Sequence, residues 1–415
     1  MNHPEKITGK AVIPVGPDYK PSRPYGVFDP CIWRKDETYY ALSGGITAYQ
    51  PSGRHIAAPY LFRSSDLKDW EFLHPFLEGD RFTRVGDDIS CPYFWPIGDR
   101  HILLYFSHLS GGHWLLGDYD QRRDKFVVDA QGDFNFGATF PSGVHAPTAF
   151  PDGTGGVITM FNMNPGKPTD KYDGYLSAFF DQPEGGTPEA DAEQYEQDWD
   201  QILTLPRRLT LRDRYHLNIE PAGDIESLRT NHRHLGPMVL PANQEVLLDG
   251  IGGSAIEIVL EVDTKLTSMF EIDVLRAPNK EEFTRICFYS KRGFTYREPF
   301  PQDPHSHRVL TTALSTPVRN ESVITVDSSY ASTLPDVLAR PPESAPVFIE
   351  NGEPLQLRVF VDRSVVEVFA NGRQCVAVRV YPGCEDSTGV SLLSQGQEAE
   401  LLSFDCWQLA SIYDI

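Results

Sequence analysis

The sequence predicts an all-β protein in two parts: an array of antiparallel sheets, then a two-sheet sandwich. Three observations predict it. Short apolar or aromatic runs bounded by Gly, Pro or Asp recur between residues 25 and 162 without a sustained helical period. Beyond residue 205 the chain reads as a series of short strands, one of which alternates strictly. Asn371-Gly372 between two such runs is a strong hairpin signal, because a type I′ turn needs positive φ at both positions.

In the first part, IWRKDETYYAL (32–42), HILLYFSH (101–108) and GGVITMFN (155–162) are the clearest runs. Strand, turn and strand repeat as they do in propeller blades. Residues 181–200 carry eight acids and no base and read as a solvated loop or short helix. In the second part, Ile256, Ile258, Leu260 and Val262 share one face of a strand, and Glu257, Val259 and Glu261 share the other. That period of two predicts an aliphatic face on a core and a mostly acidic face toward water. Residues 355–361 and 365–369 predict a hairpin turning near Asp362-Arg363, and Asp362 and Glu367 read as turn and surface residues. The division is expected at 212/213, giving parts 1–212 and 213–415.

Length and charge bound the function. A chain of 415 residues is long enough for two or three domains and a large core. With 37 basic and 58 acidic side chains the net charge is −21, which argues against nucleic acid and anionic membranes as partners. No run reaches the roughly 18 apolar residues of a membrane-spanning helix. The first residues, MNHPEKITGKAVIP, lack the apolar region of a signal peptide, so a cytoplasmic location is expected. Six cysteines without a C-x-x-C read as reduced, mostly buried thiols. No glycine-rich phosphate loop and no Gly-x-Ser-x-Gly elbow occurs.

The segment LRVFVDRSVVEVFANGRQCVAVRVYP (357–382) resembles the C-terminal sandwich of glycoside hydrolase family 32, the invertase, inulinase and levanase family. LTLPRRLTL (203–211) and IEPAGDIESLR (219–229) resemble that family's junction between propeller and sandwich. The resemblance covers nearly the whole chain. It implies a five-bladed β-propeller followed by a β-sandwich, sucrose or β-fructans as substrates, and no cofactor or metal.

The resemblance also implies three acids: a nucleophilic Asp in N-D-P-N, a transition-state-stabilising Asp in R-D-P, and an acid/base Glu in E-C-P. Retaining hydrolysis needs two carboxyls about 5–5.5 Å apart, one attacking and one, with a raised pKa, protonating the leaving group. YGVFDPCIWRKDETYYALSGG (25–45) resembles the R-D-P region, with Asp29 as the stabilising Asp and Phe28 where the sugar-binding Arg belongs. LFRSSDLKDWEFL (61–73) keeps the register. SCPYFWPIGDRHILL (90–104) resembles the E-C-P region, with Ser90 in place of Glu. LLGDYD (115–120) and VHAPTAF (144–150) resemble later segments of the family.

Asp88, or failing it Asp87, is the expected replacement proton donor. Tyr93, Trp95 and His145 are expected beside the sugar, the aromatics as platforms for its apolar C–H face. His108 and His113 read as structural.

No N-D-P-N string occurs, and the 28 residues ahead of Asp29 are too few for two blades of about 40–50 residues. The expectation is therefore an incomplete propeller of about three blades. The missing part would come from a longer gene product, a separate chain or a second copy, the first being favoured. The function expected is a retaining β-fructofuranosidase-type hydrolase, inactive as given if nucleophile and acid/base are both missing. The alternative is a non-catalytic sugar-binding homologue.

Overall fold

The computed structural model describes residues 25–413 except 26, 50–53, 138–142, 165–200, 265–266, 294, 298–317 and 338–339, together with Gly9 and residues 11–13. At 46–49, 54–55, 295–297 and 318–320 it describes backbone alone. The acidic run 181–200 lies outside the described residues. The chain is all-β. Among the described residues its one helix is the short 3-10 turn Ile225–Leu228, and no helix is long and apolar enough to cross a membrane.

Two compact units divide the chain, Met1–Gly223 and Asp224–Ile415. The division falls later than the expected 212/213. Its physical reason is the strand Leu217–Pro221, which pairs antiparallel with Arg207–Leu211 and so completes a sheet of the first unit.

The described residues of the first unit hold three main sheets. Four antiparallel strands, Cys31–Lys35, Thr38–Ser43, Tyr60–Ser64 and Glu71–Pro75, form the first. The second runs from the edge strand Ser90–Ile97 through Arg100–Ser107, Gly111–Asp120 and Lys125–Asp133, with Leu77–Glu78 added in parallel. The third runs from the edge strand Val144–Pro151 through Val157–Met163 and Arg207–Leu211 to Leu217–Pro221, with Ile202–Leu203 beside Val157–Met163. The expected run 32–42 is thus two strands, separated by a turn at Asp36, whose φ is 56°.

The edge strand Ser90–Ile97 packs against the first sheet on one side and against Val144–Pro151 on the other. Cys31–Lys35, Ser90–Ile97 and Val144–Pro151 are therefore the innermost strands of three successive sheets. Between the first two sheets lies a core of Tyr40, Leu42, Leu61, Phe76, Phe94, Leu103 and Phe126. Phe76 and Phe94 meet edge to face at 4.8 Å, and Phe94 and Phe126 at 5.1 Å. Such pairs add to the burial of their own area.

The second unit has a seven-stranded and a six-stranded antiparallel sheet. Ile256, Ile258, Leu260 and Val262 are fully buried, as the alternation predicts. The opposite face is not simply wet. Glu257 is fully buried, because Arg229 (2.7 and 2.8 Å) and Arg358 (2.5 Å) close over its carboxylate. Glu367 is also buried rather than a surface residue. The hairpin at Arg363 and the turn at Asn371-Gly372 form as expected, with φ of 51°, 49° and 62°. All six cysteines are free thiols, and four are buried.

Candidate active site

The innermost strands share a local device. Asp29, Cys91 and Ala146 each stand immediately before a proline at the head of one of these strands, and each is left-handed, with φ of 48°, 46° and 47°. Proline disfavours helical conformations in the residue before it, and left-handed backbone is costly for any residue but glycine. Such strain, about 1–3 kcal/mol a residue, persists where the surrounding structure over-determines it and gathers at functional sites. In the second and third sheets the pairing slips at this point, between Ser90 and Tyr93 and between His145 and Thr148. A bulge of this kind re-aims side chains. The residues just before the kinks are Phe28, Ser90 and His145.

Phe28 is held by its backbone. Its N–H donates to Ser43 Oγ at 2.8 Å, and its carbonyl accepts from Gly44 N–H at 3.0 Å. Its ring lies so close to Gly44 that a Cβ there would collide with it and with Ile89 O. Asp29 is exposed, and its Oδ2 accepts from the Cys91 thiol at 3.6 Å. Burial, with Asp29 adding to it, pushes the Cys91 thiol up to about 12. Two innermost strands thus meet at their heads.

Ser90 is buried, and its Oγ donates to Asp88 Oδ2 at 2.7 Å. Asp88 Oδ2 also lies 2.7 Å from His108 Nδ1, and Asp88 Oδ1 accepts from His108 N–H at 3.0 Å. Burial alone would raise the Asp88 carboxyl, but the hydrogen bonds from His108 and Ser90 outweigh it and hold it below the usual carboxylate range. Asp88 is therefore a clasped anion. Its hydrogen bonds favour the ionised form, so the proton-donor role expected for it finds no support in this geometry. Asp87 does not replace it. It is buried and accepts from Ser107 Oγ (2.8 Å), Ser110 Oγ (2.7 Å) and Arg84 N–H (2.8 Å), pinning the turn.

His108 carries the complementary shift. The hydrogen bond to Asp88 raises it above the ordinary imidazole range, burial opposes, and Asp29 adds to the rise. Its ring lies 5.0 Å from the Phe106 ring, and His145 lies 5.2 Å from the same ring on the third sheet. His145 Nδ1 is buried without a hydrogen-bond partner, and burial, with His108 adding, pushes its imidazole down to about 4.

The structure thus brings Phe28, Asp29, Asp88, Ser90 and His145 to the heads of the innermost strands. It does not bring Trp95 there. Five residues along the strand, about 16 Å from Ser90, Trp95 donates its indole N–H to Ala149 O at 3.0 Å and packs 5.8 Å from Phe150. Trp95 is packing between the second and third sheets. Tyr93 is half-buried on the same strand face as Trp95, about 10 Å from Ser90.

Sequence reasoning read His108 as structural and did not single out Cys91 or Ala146. The available signal was the recurrence of a residue before proline in Asp29-Pro30, Cys91-Pro92 and Ala146-Pro147. Among the described residues no group of three or more His, Cys, Asp or Glu is arranged to hold a metal ion.

An array of sheets with the candidate residues at the inner strand heads, followed by a sandwich, is the architecture of a class of glycoside hydrolases. The sequence model for the N-terminal domain of glycosyl hydrolases family 32 matches residues 3–221, and the model for the C-terminal domain matches 224–408. The chain belongs to glycosyl hydrolase family 32.

An insoluble β-fructofuranosidase isoenzyme of Arabidopsis thaliana is 26% identical over 397 residues, covering 84% of this chain and 62% of the relative. A sucrose-6-phosphate hydrolase of Staphylococcus xylosus is 23% identical over 401 residues, covering 90% of this chain and 64% of the relative. The chain therefore spans under two thirds of the length of these curated relatives. Fructan 1-exohydrolase IIa of Cichorium intybus, solved with 1-kestose, superposes with a TM-score of 0.68 at 15% identity, over 92% of this chain and 71% of that one. Sucrose-6-phosphate hydrolase of Lactobacillus gasseri superposes at 0.63 and 16% identity, over 92% and 66%. These likenesses establish the fold, a β-propeller domain with a β-sandwich.

Proposed function

We propose that this chain acts on fructosyl linkages of sucrose or β-fructans, as a retaining β-fructofuranosidase-type hydrolase. One observation carries the reading: three kinked strand heads gather Asp29, Ser90 and His145 around the Asp88–His108 pair. Asp29 is the carboxylate free to face a sugar, and its negative charge stabilises the oxocarbenium-like transition state. The names of the relatives support the substrate class.

The resemblance calls for a nucleophilic carboxylate that has no counterpart among the described residues. Its supply from outside them, on further blades or a second chain, is part of this proposal. The test is fructose release from sucrose, inulin and levan by the full chain. Asp29→Ala should abolish the release, and an unchanged rate in that variant would overturn the reading.

A second reading is favoured by Phe28 and Ser90. Neither supplies the charge or acidity of the Arg and Glu of the family motifs, and a scaffold without them suits a non-catalytic sugar-binding protein. Saturable fructose or 1-kestose binding without turnover, by calorimetry, distinguishes it.

A further inference from the structure

We propose that His108, carried on Asp88, is the proton donor of this site, taking the role that Ser90 cannot fill. The inference rests on the hydrolase reading above and names a group for it.

A donor must hold a proton near neutral pH, must be fixed in place, and must face the bound glycoside. Ser90 fails the first requirement, and its hydroxyl already donates to Asp88. Asp88 suits it poorly, because its contacts with Ser90 and His108 favour the carboxylate. His108 meets the first two, and its exposed side chain leaves Nε2 open to a bound glycoside. Its Nδ1 is anchored 2.7 Å from Asp88 Oδ2, and its backbone N–H donates to the other oxygen of the same carboxylate. The grip is bidentate, from one residue onto one carboxylate. Its Nε2 has no partner among the described residues, and the side chain is 71% exposed. The titratable groups that act on it are Asp88, Asp29 and His145, which come from the heads of all three innermost strands. The two carboxylates favour the imidazolium. His145, with its buried Nδ1, stays neutral and leaves that charge unopposed.

The step balances. The proton on Nε2 passes to the bridging oxygen as the bond from the anomeric carbon breaks and its electron pair goes to that oxygen, releasing the aglycone alcohol. Asp29 faces the positive charge that develops on the fructosyl ring. Water then bonds to the anomeric carbon, directly or by displacing a nucleophile carboxylate, and returns a proton to Nε2. The sum is one glycoside and one water giving fructose and an alcohol.

The test compares sucrose with 4-nitrophenyl β-fructofuranoside, whose leaving group needs little protonation. The full wild-type chain and His108→Gln are assayed across pH, with fructose binding measured alongside. His108→Gln should lower sucrose turnover by about 100-fold or more, cost far less on the aryl fructoside, and leave fructose binding within a few-fold. Asp88→Asn should move the alkaline limb of the sucrose profile to lower pH, because the imidazolium loses its anion. Equal turnover of both substrates by His108→Gln and wild type would overturn the assignment while the hydrolase reading stands. Wild-type binding of fructose with cleavage of neither substrate would overturn the donor and leave the binding reading. Neither binding nor cleavage by wild type would overturn the hydrolase reading itself.

Discussion

The Cys91 thiol donates to Asp29 Oδ2 at 3.6 Å, joining the heads of two innermost strands from different sheets. The residues are 62 positions apart, and both are left-handed before a proline. The contact sets the Asp29 carboxylate against a group that stays protonated. With its thiol pushed up to about 12, Cys91 should be a poor nucleophile at pH 8. Alkylation by iodoacetamide, followed by mass spectrometry, should modify it far more slowly than an ordinary free thiol. Asp29→Asn removes the second of the two main causes and should speed the reaction several-fold. Equal rates in the two proteins would contradict the coupling.

His145 predicts an acid sensitivity of known sign. Its folded pKa, about 4, lies below the ordinary 6.5, so the unfolded chain binds the proton more readily. Stability from this residue is intact above about pH 6.5 and falls as pH drops toward 4, by at most about 3 kcal/mol. Urea unfolding of wild type and His145→Phe at pH 7 and pH 4.5 isolates the effect. The variant should lose less on acidification than wild type.

Gly44 predicts a packing failure at the site. Any side chain there meets Ile89 O and the Phe28 ring. Backbone on one side leaves no room for adjustment, so Gly44→Ala should cost about 2–3 kcal/mol or more, the range of an overpacked core. A drop in thermal midpoint, with near-ultraviolet dichroism changed by the displaced Phe28, is the expected record.

Glu257 predicts a charge failure in the sandwich. Removing one partner of a buried ion pair costs about 3–5 kcal/mol, because the remaining charges are left uncompensated. Glu257→Gln leaves Arg229 and Arg358 facing each other without their anion. Urea unfolding of the full chain should show a clear loss for this variant. Glu261→Gln, on the same face but hydrogen-bonded to the exposed Gln356 amide, should show a small one.

What the sequence disclosed divides by distance along the chain. The turn at Asn371-Gly372 is a local matter of φ and is fully legible. So is the buried set Ile256, Ile258, Leu260 and Val262, since a strand's own period decides it. Glu257 misleads because alternation assigns an acid to water, whereas its two arginines come from 28 and 101 residues away. The same cause hides His108. Its carboxylate is 20 residues earlier, and no spacing rule links a strand-end histidine to a turn aspartate across a sheet. Trp95 misleads in the opposite sense. Closeness in sequence to Ser90 suggests a shared pocket, but an extended strand carries it away into the contact with Ala149 and Phe150. The family motifs located Asp29 and Ser90 because each motif includes the proline that sets the kink in its strand.

The kinks have a consequence of their own. Because the chain bends at Asp29, Cys91 and Ala146 through its main chain, the preceding position in each sheet works as a socket whose occupant can be exchanged while its mounting stays put. Phe28→Arg and Ser90→Glu would therefore change what the site presents without touching the proline bends that hold those two positions.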